Sequence, residues 1–253
     1  MTRRSIADAI ASVLVLLAVV GCWWAASHAQ WISKVFLPTP EAAVASLVEG
    51  LTTGDLREQS AQTIARMLEG WLLACLIGVA LGALIGTSSV ARAWLQPMLE
   101  FMRPLPASAL MPLAISIFGL GSNMVLAVVA FGATWPVLLA TLHGFSSIEP
   151  RLREVAAGLQ LPRRDFIMKL GLPGALPDIL AGMRLSLTVS LIVAVVGEMI
   201  ASQAGLGQAL LLAARSFQAS ELFAGIILLG VIGFAANAAL TAIERRTLRW
   251  QQP

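Results

Sequence analysis

A chain of 253 residues with 58% hydrophobic and only 12% charged residues is not a water-soluble domain, since globular chains carry about 25% charged residues. The same composition excludes disorder, which needs the reverse balance. A net charge of +3 and a pI near 9.5 point, in such an apolar chain, to basic loops on one membrane face rather than to nucleic acid.

A helix needs about 20 mostly apolar residues to cross the hydrocarbon core, and the chain supplies six such stretches. The first is uncharged from Ala9 to Ser33 and densest from Ile10 to Ala26, giving a first transmembrane helix within residues 1–30. Arg3 and Arg4 ahead of it, and Ser27-His28-Ala29 behind it, would also suit a cleaved signal peptide. Trp23, Trp24 and Trp31 suit the aromatic belt at its outer end. Residues 31–64 hold Pro38, Pro40 and an acidic, helix-prone stretch, and are expected to form an external loop with an amphipathic helix. Residues 65–250 then carry five further spans, the core of the membrane part.

The second span follows the uncharged run Gly70 to Ala91. Gly70, Ala74, Gly78, Gly82 and Gly86 fall at every fourth position, a small-residue stripe that lets another helix backbone approach closely in lipid. We assign Gly78, Gly82 and Gly86 to helix packing; a surface that slides during a transport cycle fits the same pattern. The uncharged run Pro104 to Ile148 is too long for one crossing and divides at the turn-forming Gly119-Leu120-Gly121-Ser122-Asn123. Its first half is expected to start near Leu95 as one span. Pro104, Pro106 and Pro112 remove backbone donors there, a pattern membranes tolerate where neighbours or a cavity satisfy the freed carbonyls.

The fifth span runs from Pro177 to Glu198 and contains Arg184; the sixth runs from Leu222 to Ile243. Between them, Met199 to Ala214 is uncharged but glycine-punctuated, and predicts a turn at Gly205 and Gly207 followed by a short helix. Arg184 and Glu198 lie fourteen residues apart, about 21 Å along a helix, so they cannot pair with each other. Arg184 fits either a snorkelling side chain or a pathway residue, and Glu198 either a capping contact with the glycine loop or a pathway residue. Pro112, Ser116, Arg184, Thr188 and Glu198 are the candidate translocation-pathway residues.

Basic residues set the orientation. Of the seventeen lysines and arginines, only Lys34, Arg57, Arg66 and Arg215 fall on one side of the six-span arrangement. Both termini are therefore expected in the cytoplasm. No catalytic or metal constellation is present in the sequence: the two histidines, His28 and His143, are far apart, there is no C-x-x-C, and neither Lys34 nor Lys169 ends a G-K-[ST] motif. The chain is therefore expected to be neither an enzyme nor an ATP-binding chain. Cys22 and Cys75 sit in apolar runs and imply no disulfide framework.

The loop between the fourth and fifth spans, residues 149–173, is the most informative segment. Leu152, Val155, Ala156 and Leu159 recur at helical spacing, as do Phe166, Ile167 and Leu170. Pro162 suits the first turn of a second helix. Two short amphipathic helices result, which could lie in lipid headgroups or dock on a cytoplasmic partner.

This loop resembles the EAA loop of ABC importer permeases. Glu154, Ala156 and Leu172-Pro173 match that motif, with Val155 in place of its first alanine and Gln160 where a glycine is usual; Leu161-Pro162 is then expected to make the turn. Phe101-Met102-Arg103-Pro104-Leu105-Pro106, Gly197-Glu198-Met199-Ile200-Ala201 and Ser202-Gln203-Ala204-Gly205-Leu206-Gly207 resemble the nitrate/sulfonate/taurine branch. The resemblance implies an all-α polytopic membrane protein with six transmembrane helices and a cytoplasmic coupling helix, like type I ABC importers, in the cell inner membrane. It implies a homodimer, two cytoplasmic ATP-binding subunits that hold ATP and Mg, and an extracytoplasmic solute-binding protein that delivers a small anion such as a sulfonate, taurine or nitrate. It assigns Arg151, Arg153, Glu154, Ala156, Ala157, Arg163, Arg164 and Pro173 to ATPase coupling. The competing reading is a stand-alone secondary carrier or channel, for which the repeated halves of such proteins are missing from the sequence.

Overall fold

The computed structural model describes residues 3–248; the side chains of residues 3–10 and of Ser89, Pro150, Arg153, Ala157 and Arg163 lie outside what is described. The orientation reading at Arg3, Arg4 and Arg249 falls there too. The described residues are helical throughout, without strands. Five helices are long and apolar enough to cross a membrane, and a sixth crossing is made only if a bent pair counts as one.

The first helix, α1 (Arg3–His28), exposes its apolar middle on all sides: Val13 to Leu17 are each more than half exposed. Its end is anchored. There the Trp23 indole donates to the Pro38 carbonyl at 2.9 Å and the Trp24 indole to the Glu41 carboxylate at 2.8 Å. Glu41 opens α2 (Pro40–Thr52), the amphipathic helix expected in the loop, where the Thr39 hydroxyl accepts the Ala42 N–H and Pro40 sits in the first turn. The carboxyl of Glu41 is held below its usual range, first by its own backbone N–H and further by Thr39, Trp24 and His28.

α3 (Leu56–Gly86) has 31 residues, about 46 Å of helix, well beyond the hydrocarbon thickness. The expected boundary at 64/65 therefore falls inside a continuous helix. Its first two turns stay helical despite their polar sequence because Thr63 and Arg66 find buried partners on other helices. At its other end α3 stops at Gly86, not Ala91, since the Ser88 hydroxyl caps α4 (Ser89–Met102) by accepting the Ala91 N–H.

The third span is not one helix. α4 and the pair formed by a 3-10 turn (Ala107–Leu110) and α5 (Met111–Phe118) meet at 85°. Pro104 and Pro106 flank the bend and cannot donate to the preceding turn, which ends the helix there. The expected single span from Leu95 is thus replaced by a broken one. After it come α6 (Ser122–Ser146), α7 (Pro150–Gly158), α8 (Arg163–Phe166), a π-turn (Ile167–Gly171), α9 (Leu172–Ala201), α10 (Leu206–Arg215) and α11 (Ala219–Thr247). The short helix after Gly205 is α10.

The core is the triple contact of α3, α6 and α9. The stripe on α3 faces α6 throughout: Gly70 meets Val129, Gly78 meets Val137, Gly82 meets Thr141 and Gly86 meets Phe145. A Cβ at Gly82 would lie 2.6 Å from Thr141 Cβ and 2.8 Å from the Leu138 carbonyl, and one at Gly78 2.9 Å from Val137 Cβ. α9 approaches α6 in the same manner: a Cβ at Gly182 would lie 2.8 Å from the Pro136 carbonyl. Polar links across this core join backbone to side chain: Ser186 donates to the Ala133 carbonyl (2.6 Å) and the Trp71 indole to the Met183 carbonyl (3.0 Å). One apolar cluster, around Met111, Met124, Val125 and Ala194, fills the half of the bundle near α5. A second, around Phe145, Ile148, Ala175 and Ile179, fills the end near α7 and α8.

Gly82→Leu has no space to expand into, because the facing atoms are backbone and a β-branched side chain. We expect it to part α3 from α6 and cost at least about 3 kcal/mol, the upper range for overpacking. A thermal melt of the detergent-solubilised protein should show the loss, with Ala80→Leu, on an exposed position of α3, unchanged.

Candidate functional site

The 149–173 loop forms the two helices its spacing predicts. α7 ends in an αL cap: Leu161 N–H bonds to the Ala156 carbonyl at 3.0 Å and Gln160 takes φ +51°, the geometry usually given to glycine. The turn is therefore made at Gln160 itself, not at Leu161-Pro162, because the 6→1 bond demands the left-handed residue one position earlier. α7 turns Ala156 inward (5% exposed) and leaves Leu152, Val155 and Leu159 exposed, with Arg151 and Glu154 beside them. Arg164 is exposed, Lys169 pairs with Asp165 at 2.8 Å, and Pro173 is exposed in the first turn of α9. Arg153, Ala157 and Arg163 are helical in backbone, their side chains outside the described set.

The loop is mechanically tied to the bundle. α8, the π-turn and α9 form one apolar rod from Arg164 to Ala201, 38 residues long. Phe145 of α6 packs its ring against Gly171, where a Cβ would lie 3.1 Å from Cδ1.

At the far end of that rod Glu198 is fully buried. Its Oε1 accepts from Arg66 Nη1 at 2.7 Å, and its Oε2 from the Thr63 hydroxyl and the Gly207 N–H, both at 2.9 Å. Arg66 also donates to the Ala204 carbonyl (2.7 Å) and, through Nε, to Ser122 Oγ (3.2 Å). Thr63 in turn accepts the Leu206 N–H at 2.9 Å. One ion pair thus joins α3, the start of α6, the end of α9 and the start of α10. Gly205 and Gly207 are required by approach: a Cβ at Gly207 would stand 2.9 Å from Glu198 Cβ, and one at Gly205 would meet the Glu198 carboxylate.

The five pathway candidates are not brought together. Glu198 belongs to the knot just described. Pro112 and Ser116 stay within α5, the Ser116 hydroxyl donating to the Pro112 carbonyl at 3.0 Å. Arg184 pairs with Glu244 of α11, and with Thr188 it lines a cavity of about 380 Å³ that also includes Asn237 and Phe234. A larger cavity, about 590 Å³, opens between the broken span, α6 and α9. Among the described residues no group of three or more His, Cys, Asp or Glu could hold a metal.

Sequence reasoning missed Arg66, Thr63 and Asn237. Thr63 and Met67 prolong the buried stripe of Gly70 and Ala74 toward the start of α3, so a polar residue on that stripe was the available signal. Asn237 sits in an otherwise uncharged apolar run, where only its amide distinguishes it.

A family model described as binding-protein-dependent transport system inner membrane component matches residues 76–249, which include α7, the rod and Glu198, though not its partners Thr63 and Arg66. The chain belongs to this family of transport permeases. A protein of Bacillus subtilis (strain 168), named as an aliphatic sulfonates transport permease, is 33% identical over 233 residues, 92% of this chain and 84% of its own. The taurine transport system permease protein of Escherichia coli (strain K12) is 31% identical over 252 residues, 98% and 90% respectively. A solved structure, the crystal structure of an amino acid ABC transporter with histidines, superposes with a TM-score of 0.62 at 20% identity, covering 80% of this chain and 97% of that one. That likeness concerns the fold, which is of the ABC importer type. The permease is a multi-pass transmembrane subunit of an ABC importer in the sulfonate, taurine and nitrate branch.

Removing one partner of a buried ion pair costs about 3–5 kcal/mol, so Glu198→Ala should lower the unfolding temperature of the permease sharply. Glu198→Leu combined with Arg66→Met should recover much of that loss. At α7, Gln160→Gly relieves a left-handed residue that costs about 1 kcal/mol. It should slow amide exchange at Leu161, read by mass spectrometry.

Proposed function

We propose that the permease works as a homodimer with two cytoplasmic ATP-binding subunits, which carry the ATP and Mg, and receives its solute from an extracytoplasmic binding protein. The chain itself hydrolyses nothing; it moves a small anion, of the sulfonate, taurine or nitrate kind named for its relatives, by alternating access. The observation that carries this reading is α7. It is a nine-residue helix whose exposed apolar residues Leu152 and Val155, followed by Leu159 in the turn after it, are flanked by Arg151 and Glu154, and that turn at Gln160 leads into a 38-residue rod.

A helix of that kind suits a groove on a partner, and family membership supplies the partner, an ATPase. Closure of the two ATPases then displaces α7, and α9 carries the displacement to the Glu198 end of the bundle. Both termini lie in the cytoplasm on this reading, with α2 and α10 on the outer face, consistent with the excess of arginine at the α7 end.

The permease, co-expressed ATP-binding chain and loaded binding protein, reconstituted in liposomes, should hydrolyse ATP faster with loaded than with empty binding protein. Glu154→Arg should reduce recovery of the ATPase in pull-down at least tenfold while leaving the permease melt unchanged. Full recovery of the ATPase by that variant would remove α7 from the interface, and solute uptake by the permease alone without ATP would return the carrier reading.

A further inference from the structure

The 590 Å³ cavity is a product of the break in the third span. α4 itself packs on α3, whereas the 3-10 turn beyond the bend rests on α6 and α9, and a Cβ at Gly132 would stand 2.8 Å from Ala107 Cβ. Its volume falls within the range of about 300–1,000 Å³ typical of small-molecule sites.

Its chemistry is lopsided. Arg103 is the one charged residue in the lining, which contains no Asp or Glu. Arg103 caps α4 through its backbone, and its exposed guanidinium makes no ion pair or side-chain hydrogen bond among the described residues. Ser108 lies nearby on the turn, and Pro136 of α6 cannot donate to the Gly132 carbonyl that the helix would otherwise pair. Everything else is hydrocarbon or indole: Trp135 and Ala140 from α6, Val189 and Ile192 from α9.

Such a lining discriminates by charge and by shape. One unpaired cation with no acid selects a monoanion and offers nothing to an ammonium group, so a zwitterion would leave its positive end unpaired in an apolar wall. A bare inorganic anion would use the arginine and leave the apolar walls empty. An alkyl or aryl anion uses both, its head on the guanidinium fork and its body along α6 and α9.

We propose that this cavity is a binding site, within the membrane part of the permease, for an amphipathic organic monoanion such as an alkyl or aryl sulfonate, with Arg103 as its counter-ion. The proposal rests on the importer reading and narrows its substrate class, against taurine and nitrate. An anionic lipid shares the same chemistry, an acidic head on an apolar body, and the test separates the two sources.

Radiolabelled 4-toluenesulfonate is dialysed against the permease in phosphatidylcholine nanodiscs, with and without its ATP-binding subunits and without binding protein. Saturable binding is expected, displaced by unlabelled hexanesulfonate and not by taurine or nitrate at the same concentration. Arg103→Gln should weaken it about tenfold or more, the worth of a charge-assisted bond, and Ile192→Trp, which fills the cavity from its exposed side, should abolish it. Each variant is first required to elute as the wild-type assembly does; if Ile192→Trp does not, Val189→Phe serves instead.

Equal displacement by taurine or nitrate, or binding indifferent to both substitutions, overturns the proposal. So does suppression of binding when phosphatidylglycerol is added to the nanodiscs, which would give the cavity to lipid. A chain that binds the sulfonate but assembles with no ATPase sinks the importer reading alone, and one that imports without Arg103-dependent binding sinks this proposal alone.

Discussion

The close approach of α3 to α6 is the constraint on which the bundle rests. In lipid no hydrophobic driving force separates helix from solvent, so association depends on packing and interhelical hydrogen bonds. The glycine stripe on α3 lets side chains of α6, from Val129 to Phe145, pack directly against its backbone. α9 joins the pair by the same device at Gly182 and adds the Ser186 and Trp71 bonds to backbone carbonyls. α1, by contrast, keeps an exposed apolar middle and is held near its end, where Trp23 and Trp24 reach Pro38 and Glu41 and the Trp23 ring packs on Phe223 of α11.

A core assembled from glycine contacts is rigid and cannot easily supply a cavity. The irregular parts do so. Proline interrupts the third span, and the resulting bend leaves space against α6 and α9 that straight helices would have filled. Arg103, at the mouth of the break, is a cation that the fold itself does not consume. Arg66 and Arg184 are both consumed, by Glu198 and Glu244.

The rod from Arg164 to Ala201 connects the two ends of the molecule. At one end the π-turn is seated on Phe145 next to α8 and α7; at the other the Glu198 knot gathers α3, α6 and α10. A buried carboxylate with three donors is costly to break, so that end moves as a unit.

The sequence by itself determined what depends on spacing along the chain. Composition and run length set a polytopic helical protein; four-residue spacing marked the face of α3; the apolar pattern of residues 149–173 marked two short helices. Each is local, because a helix brings residues three and four apart onto one face whatever surrounds it. Only the tertiary structure decided which residues meet across the chain. Arg66 read as one of four bases on the less basic side, and Glu198 as either a capping or a pathway residue, yet 132 positions apart they form one ion pair, since α3 continues far enough to reach the end of α9. The prolines of the third span announced a break but neither its 85° angle nor the close approach of Ala107 to Gly132 beyond it. Arg103 became a candidate ligand for the same reason: its place in the chain says nothing of its surroundings, and a cavity exists only once three separate elements are packed around it.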